Sequence, residues 1–112
     1  MKILAIIPAF NEEKTIKKVI KGVKKELPKC DVLVVNDGSR DKTKEEAEKQ
    51  NIYLINLPFN LGIGATVQIG FIFAKKNNYD LAFQIDADGQ HIASQIKKII
   101  KPVCQKKADI IG

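Results

Sequence analysis

Tryptophan is absent from this chain, arginine occurs once, at Arg40, and histidine once, at His91. Nucleic-acid interfaces are commonly built from arginine clusters and from aromatic side chains interleaved with basic ones. Neither pattern is present, so the formal net charge of +6 is not read as a nucleic-acid footprint. The charge comes almost wholly from lysine, and Lys17, Lys18, Lys21, Lys24 and Lys25 fall between apolar positions at helical spacing. That is the pattern of a solvated helix face, with affinity for an anionic surface or a phosphorylated ligand left open. Cysteine is scarce as well. Cys30 and Cys104 are far apart, and neither falls in a metal or redox spacing, so they read as ordinary thiols of a reducing compartment. No apolar run approaches the length of a membrane-spanning helix. The opening run from Ile3 to Ala9 is short, interrupted by Pro8 and stopped by Asn11, unlike a secretory signal. A soluble, cytoplasmic protein is the expectation.

What is present is a folding composition. Of 112 residues, 45% are hydrophobic, enough for one domain with a real core. Ile3 to Ile7 reads as a buried strand ended by Pro8. Asn11 is placed as a helix N-cap, with Glu12 and Glu13 in the first turn, where the helix dipole favours acids. Ile16, Val19, Ile20, Val23 and Leu27 recur at helical spacing until Pro28. Val32 to Val35 is a second buried strand. A polar helix follows from about Asp41 to Gln50, with Thr43 and Glu46 as its capping box. Ile52 to Leu57 is a third strand, and the helix after it carries Val67, Phe71 and Ala74 on one side. Leu81 to Ile85 is the fourth strand. A helix from about Ser94 to Gln105 and the start of a fifth strand, Ala108 to Ile111, complete the chain. Strand and helix alternate throughout, which predicts a mostly parallel sheet covered by helices.

In such sheets ligands bind beyond the carboxyl ends of the strands, and the polar segments lie there. After the fourth strand come Asp86-Ala87-Asp88-Gly89-Gln90-His91. Asp86 and Asp88 point the same way if the strand pitch persists, and two like charges that close are costly without a cation between them. Hard divalent ions such as magnesium or manganese suit carboxylate oxygens and bridge phosphates; the competing reading is a polar turn. Asp37, directly after the second strand, can accept hydrogen bonds from a nucleoside base or ribose, or else make an Asx-turn. Glu12 reads as a dipole partner or a ligand contact. Gly62 and Gly64 permit a tight turn and close backbone approach to phosphate or sugar. Gln90 and His91 are within reach of a metal or phosphate, although a lone histidine is more often a partly exposed loop residue.

Four stretches together resemble a known family: Ile6-Ile7-Pro8-Ala9-Phe10-Asn11-Glu12-Glu13, Val34-Val35-Asn36-Asp37-Gly38-Ser39-Arg40-Asp41-Lys42-Thr43, Asn60-Leu61-Gly62-Ile63-Gly64-Ala65 and Asp86-Ala87-Asp88-Gly89-Gln90-His91. In this order and spacing they are similar to the family 2 inverting glycosyltransferases, closest in wording to the polyprenyl-phosphate sugar synthases of the dolichyl-phosphate mannose synthase type. The resemblance implies a GT-A fold, a Rossmann-like three-layer α/β/α sandwich. It implies that Pro8, Ala9, Phe10 and Glu12 line a nucleoside pocket and that Asp37 contacts base or ribose. Gly62 and Ala87 join the donor-binding set. Asp86 and Asp88 match the Asp-x-Asp motif that holds sugar, ribose and a Mg2+ or Mn2+ ion, and Gln90 matches a residue that joins the metal in some relatives. The implied partners are a UDP- or GDP-linked sugar and a polyprenyl phosphate or glycan acceptor. A polyprenyl phosphate would be met at the inner face of the membrane. The sugar is transferred with inversion.

Three departures stand out. Ile92-Ala93 replace a usual Asp-Pro pair, Asn36 replaces a common aspartate, and the chain stops where the family's acceptor half would follow. The expectation is a donor-binding half, residues 1–112, that is catalytically incomplete and self-associates through surfaces the other half would cover. Two rival readings compete with this one: a non-catalytic nucleotide-binding or assembly module of the same fold, and a dinucleotide-dependent oxidoreductase. The second is disfavoured because Val67 sits where a third glycine or alanine belongs and the first strand has no glycine loop.

Overall fold

A computed structural model describes residues 1–87 and 101–102 of the chain. Along them run β1 (Ile3–Ala9), α1 (Ile16–Glu26), β2 (Asp31–Asn36), α2 (Thr43–Glu48), β3 (Tyr53–Asn56), α3 (Ile63–Lys76), β4 (Leu81–Gln84) and β5 (Lys101–Pro102). The sheet order is β3-β2-β1-β4-β5; the first four strands are parallel and β5 runs antiparallel to β4. Strands covered on both faces must be apolar throughout, and β1 from Leu4 and β2 from Val32 are buried to their ends.

Alternation along each strand divides these runs into two cores. Ala5, Ile7 and Ala9, with Val32 and Val34, pack against Ile16, Val19, Ile20 and Val23 of α1 and Ala47 of α2. Leu4 and Ile6, with Leu33 and Val35, pack against Ala74 of α3 and Tyr79 just beyond it. The result is the expected three-layer α/β/α arrangement. Cys30 is buried at the edge of the first core, and desolvation, reinforced by the charge of Asp31, pushes its thiol up to about 12. Such a thiol is inert packing rather than a nucleophile.

Several local expectations are corrected. Pro8 does not end β1; the strand continues to Ala9, in register with Val35 and Asn36 of β2. The ladder between β1 and β4 ends at Ile6 and Gln84, closed by the Ile85 N–H on the Ile6 carbonyl at 2.9 Å. Backbone groups alternate sides along a strand, so the N–H that Pro8 lacks would have faced β4, where pairing has already stopped. Asn11 is not a helix cap: its backbone is left-handed, at φ 54°, and α1 starts five residues later, with Thr15 at the N-cap position. Thr43 and Glu46 form no capping box. Thr43 is the first residue of α2, and its N–H donates to Asp41 Oδ1 at 2.9 Å. Lys101 and Pro102, expected inside a helix, are in β5, because a proline there has no N–H to give and clashes with the preceding turn. The rest of that helix, and the strand expected at Ala108 to Ile111, lie outside the described residues.

The fully buried stripe of α3 is Thr66, Gly70 and Ala74; of the expected Val67, Phe71 and Ala74 only Ala74 is fully buried, with Phe71 partly buried against the same core. This helix is apolar nearly all round, so periodicity does not mark its face; the small residues go inward and let it approach the sheet. A Cβ at Gly70 would collide with Ile6 Cγ2. Gly70→Ala is therefore expected to cost about 1–3 kcal/mol by overpacking. Urea melts should show the loss, and shortening the neighbour with Ile6→Val should recover part of it.

Candidate functional site

Four loops leave the carboxyl ends of β1, β2, β3 and β4 on the same side of the sheet, and the first two are stitched together. The Asn11 N–H donates to Ser39 Oγ at 2.9 Å, and the Arg40 N–H returns a bond to Asn11 Oδ1 at 2.8 Å. The Glu12 N–H donates to Thr43 Oγ1 at 2.8 Å, and the Glu13 N–H to Asp41 Oδ2 at 3.1 Å. Glu13 Oε1 accepts from the Lys42 N–H at 3.0 Å. Desolvation alone would raise the Asp41 carboxyl, but bonds from the Thr43 hydroxyl and from the Thr43 and Glu13 N–H groups outweigh it and hold it below the ordinary carboxylate value. Each bond is worth about 1 kcal/mol net, so their joint effect is to deny the first loop other conformations. This stitching explains the left-handed Asn11 and occupies Glu13, which leaves Glu12 facing the cleft.

The second loop is joined to the third through Asp37. This residue is 4% exposed, so its carboxylate is buried. Oδ1 accepts from the Leu61 N–H at 2.7 Å, and Oδ2 accepts from the Gly62 N–H and from Asn60 Nδ2, each at 3.0 Å. A carboxylate has about four acceptor positions, so these three bonds leave one unused. Gly38 beside it has φ +70° and sits against the backbone of Phe59 and Asn60. Asn36, where the family commonly has an aspartate, is buried and donates through Nδ2 to Asn56 Oδ1 at 2.9 Å. It contributes sheet-end packing.

The loops enclose a cleft of about 340 Å³ lined by Pro8, Ala9, Phe10, Glu12, Asp37, Asn60, Gly62, Ile63, Thr66, Asp86 and Ala87. Eight of the nine residues assigned to donor binding meet there; the ninth, Asp88, lies outside the described residues with Gln90. Sequence reasoning did not assign Asn60, Ile63 or Thr66. Asn60 stands inside the Asn60–Ala65 stretch already singled out, and Thr66 is a polar residue on an apolar helix, so both carried a signal. A larger hollow of about 590 Å³ shares Phe10 and Asn60 with this cleft and has Arg40, Lys44 and Phe59 in its wall.

Asp86 is exposed at the cleft, and its Oδ1 accepts from Gln84 Nε2 at 3.1 Å. Among the described residues no three histidine, cysteine or acidic side chains cluster as a metal cage. An accessible carboxylate with only oxygen donors to offer fits an ion such as Mg2+ or Mn2+, which keeps waters and takes phosphate oxygens rather than an all-protein shell.

The sequence profile of Glycosyl transferase family 2 matches residues 4–112. The chain belongs to that family. Among family 2 relatives, a dolichyl-phosphate beta-glucosyltransferase of Trichomonas vaginalis is 34% identical over 128 aligned positions, covering 96% of this chain and 38% of that protein. An undecaprenyl-phosphate mannosyltransferase of Micrococcus luteus is 29% identical over 116, covering 99% of this chain and 47% of its own length. The crystal structure of S. aureus TarS 1-349 in complex with UDP superposes with a TM-score of 0.68 at 27% identity, over 79% of this chain and 28% of that one. The fold is thus the GT-A type of family 2. The chain spans less than half the length of these relatives.

Proposed function

We propose that residues 1–112 form the donor-binding half of a family 2 glycosyltransferase and that the cleft seats a nucleoside-diphosphate sugar. The observation that carries this reading is the meeting of eight assigned residues, from four separate strand ends and the loops that follow them, around one cleft at the carboxyl end of a parallel sheet. Phe10, 43% exposed at the mouth, is placed to stack on the base, and the free acceptor position of Asp37 takes a base or ribose donor. Glu12 faces the sugar-ribose side, and the Gly62 turn lets backbone come close to the diphosphate. Asp86, with Asp88 and Gln90 by resemblance, holds Mg2+ or Mn2+. When bound, that ion supplies positive charge against the leaving diphosphate. The relatives named for dolichyl and undecaprenyl phosphates support a polyprenyl phosphate acceptor for the whole protein; its encounter at a membrane surface and inversion at the sugar are carried over from the resemblance alone. In this reading acceptor activation belongs to the part of the relatives that this chain does not span.

Calorimetric titration of UDP and of GDP, with Mn2+ and with EDTA, tests the reading. One nucleotide is expected to bind, with affinity falling about tenfold or more on metal removal and in Asp86→Asn, at least what losing a residue that only orients a metal ligand costs. Equal heats for Asp86→Asn and the unmodified chain would overturn the metal assignment. No heat with either nucleotide would overturn the function.

A further inference from the structure

The residue that joins the first loop to the acidic turn is Thr15, which no motif assigns. It occupies the N-cap position of α1, yet its side chain makes no cap hydrogen bond. Threonine at that position ordinarily accepts from the second or third helical N–H. Here the hydroxyl reaches out of the helix to the Ala87 carbonyl, 2.6 Å away and 72 residues on in the chain. Glu12 Oε1 lies 3.1 Å from the same hydroxyl oxygen. A threonine hydroxyl has one proton, so the carbonyl and the carboxylate compete for it. Ala87 directly follows Asp86 and is buried, so fixing its carbonyl pins the backbone one residue beyond that carboxylate.

We propose that Thr15 is a positioning residue for Asp86: its hydroxyl holds the Ala87 carbonyl and makes the alignment of that carboxylate depend on whether Glu12 is engaged by a ligand. While Glu12 has no ligand, the proton is shared between two acceptors. When Glu12 accepts from a ligand hydroxyl, its claim on the Thr15 proton weakens and the bond to Ala87 is held full-time. Filling the nucleotide side of the cleft therefore firms the turn that binds the cation. This inference rests on the donor-binding reading and adds a residue and a coupling to it.

Thr15→Val keeps the shape and removes the hydroxyl; Thr15→Ser keeps the hydroxyl. Mn2+ affinity is read from the free-ion EPR signal with and without UDP, and UDP affinity in EDTA by calorimetry. Thr15→Val is expected to weaken Mn2+ binding in the presence of UDP by about tenfold, the scale on which residues that orient metal ligands act. UDP affinity in EDTA should not fall, because Glu12 then has no Thr15 bond to give up on binding, and Thr15→Ser should restore the metal affinity. Hydrogen exchange at the Asp86 and Ala87 amides should quicken in Thr15→Val without any ligand. If the unmodified chain binds and Thr15→Val matches it in Mn2+ affinity, the inference fails alone. Equal loss of metal-free UDP binding, or no rescue by serine, reduces Thr15 to ordinary loop packing and also overturns it. No nucleotide binding by the unmodified chain overturns the proposed function and this inference together.

Discussion

Asp37→Asn is expected to lower stability by about 2–3 kcal/mol, an unusually large loss for an isosteric exchange at a loop. The carboxylate accepts three hydrogen bonds from the Asn60–Gly62 turn, two from backbone N–H groups and one from Asn60 Nδ2. Asparagine keeps the shape but replaces one oxygen with an amide donor. Whichever way the amide is turned, a donor meets at least one donor at about the distance of the bond it replaces. If the oxygen stays with Asn60 and Gly62, the NH2 group faces the Leu61 N–H, 2.7 Å from the original oxygen. The remaining bonds also lose their charge assistance. Urea unfolding measures the stability term, and UDP titration measures what the turn does for the cleft. Loss of both indicates a latch that shapes the site. A variant as stable as the parent that no longer binds nucleotide would instead make Asp37 purely a ligand contact.

The second large effect is expected at Gly38. An alanine Cβ there would stand 2.5 Å from the Phe59 carbonyl carbon and 2.6 Å from the Asn60 nitrogen. Both are backbone atoms, so no rotamer change relieves the contact and the second and third loops must part. The left-handed backbone adds about 1–2 kcal/mol of strain and the overlap about 1–3 kcal/mol more, so Gly38→Ala should cost roughly 3 kcal/mol or more. Gly62→Ala is the control. Its φ of 98° with ψ 160° is a region that essentially only glycine occupies, but a Cβ there meets nothing within 4 Å. Its cost is backbone strain alone, about 1–3 kcal/mol. Because Asp37 and Gly38 act on one joint, combining Asp37→Asn with Gly38→Ala should cost less than the sum of the two. Full additivity in a double-mutant cycle would mean that the loops are held independently.

The strands were legible in the sequence because runs such as Ile3–Ile7 and Val32–Val35 are too short and too continuously apolar for anything but buried strands. The gathering of Pro8, Asp37, Gly62 and Asp86 followed from one further rule, that loops at the carboxyl ends of parallel strands converge. The inward face of α3 was not legible, since burial there follows from size rather than hydrophobicity: Gly70 is inside because Ile6 leaves it no room for a side chain. The loop stitching was equally hidden. Its bonds join residues 28 to 31 positions apart, and no local pattern distinguishes Thr43 capping its own helix from Thr43 accepting the Glu12 N–H. A propensity rule assigns each polar side chain to its nearest backbone group, and here the fold offered it a better one.

Pro8 has one more effect. Parallel pairing between β1 and β4 behaves like a zip: each rung aligns the next, and the next rung beyond Ile6 and Gln84 would run from the N–H of residue 8 to the Ile85 carbonyl. A proline makes that rung impossible. The zip therefore has a permanent stop three residues before β1 ends, and the chain beyond Ile85 is freed from the sheet at a defined point. The mouth of the cleft is kept open by a bond that the chain is chemically unable to make.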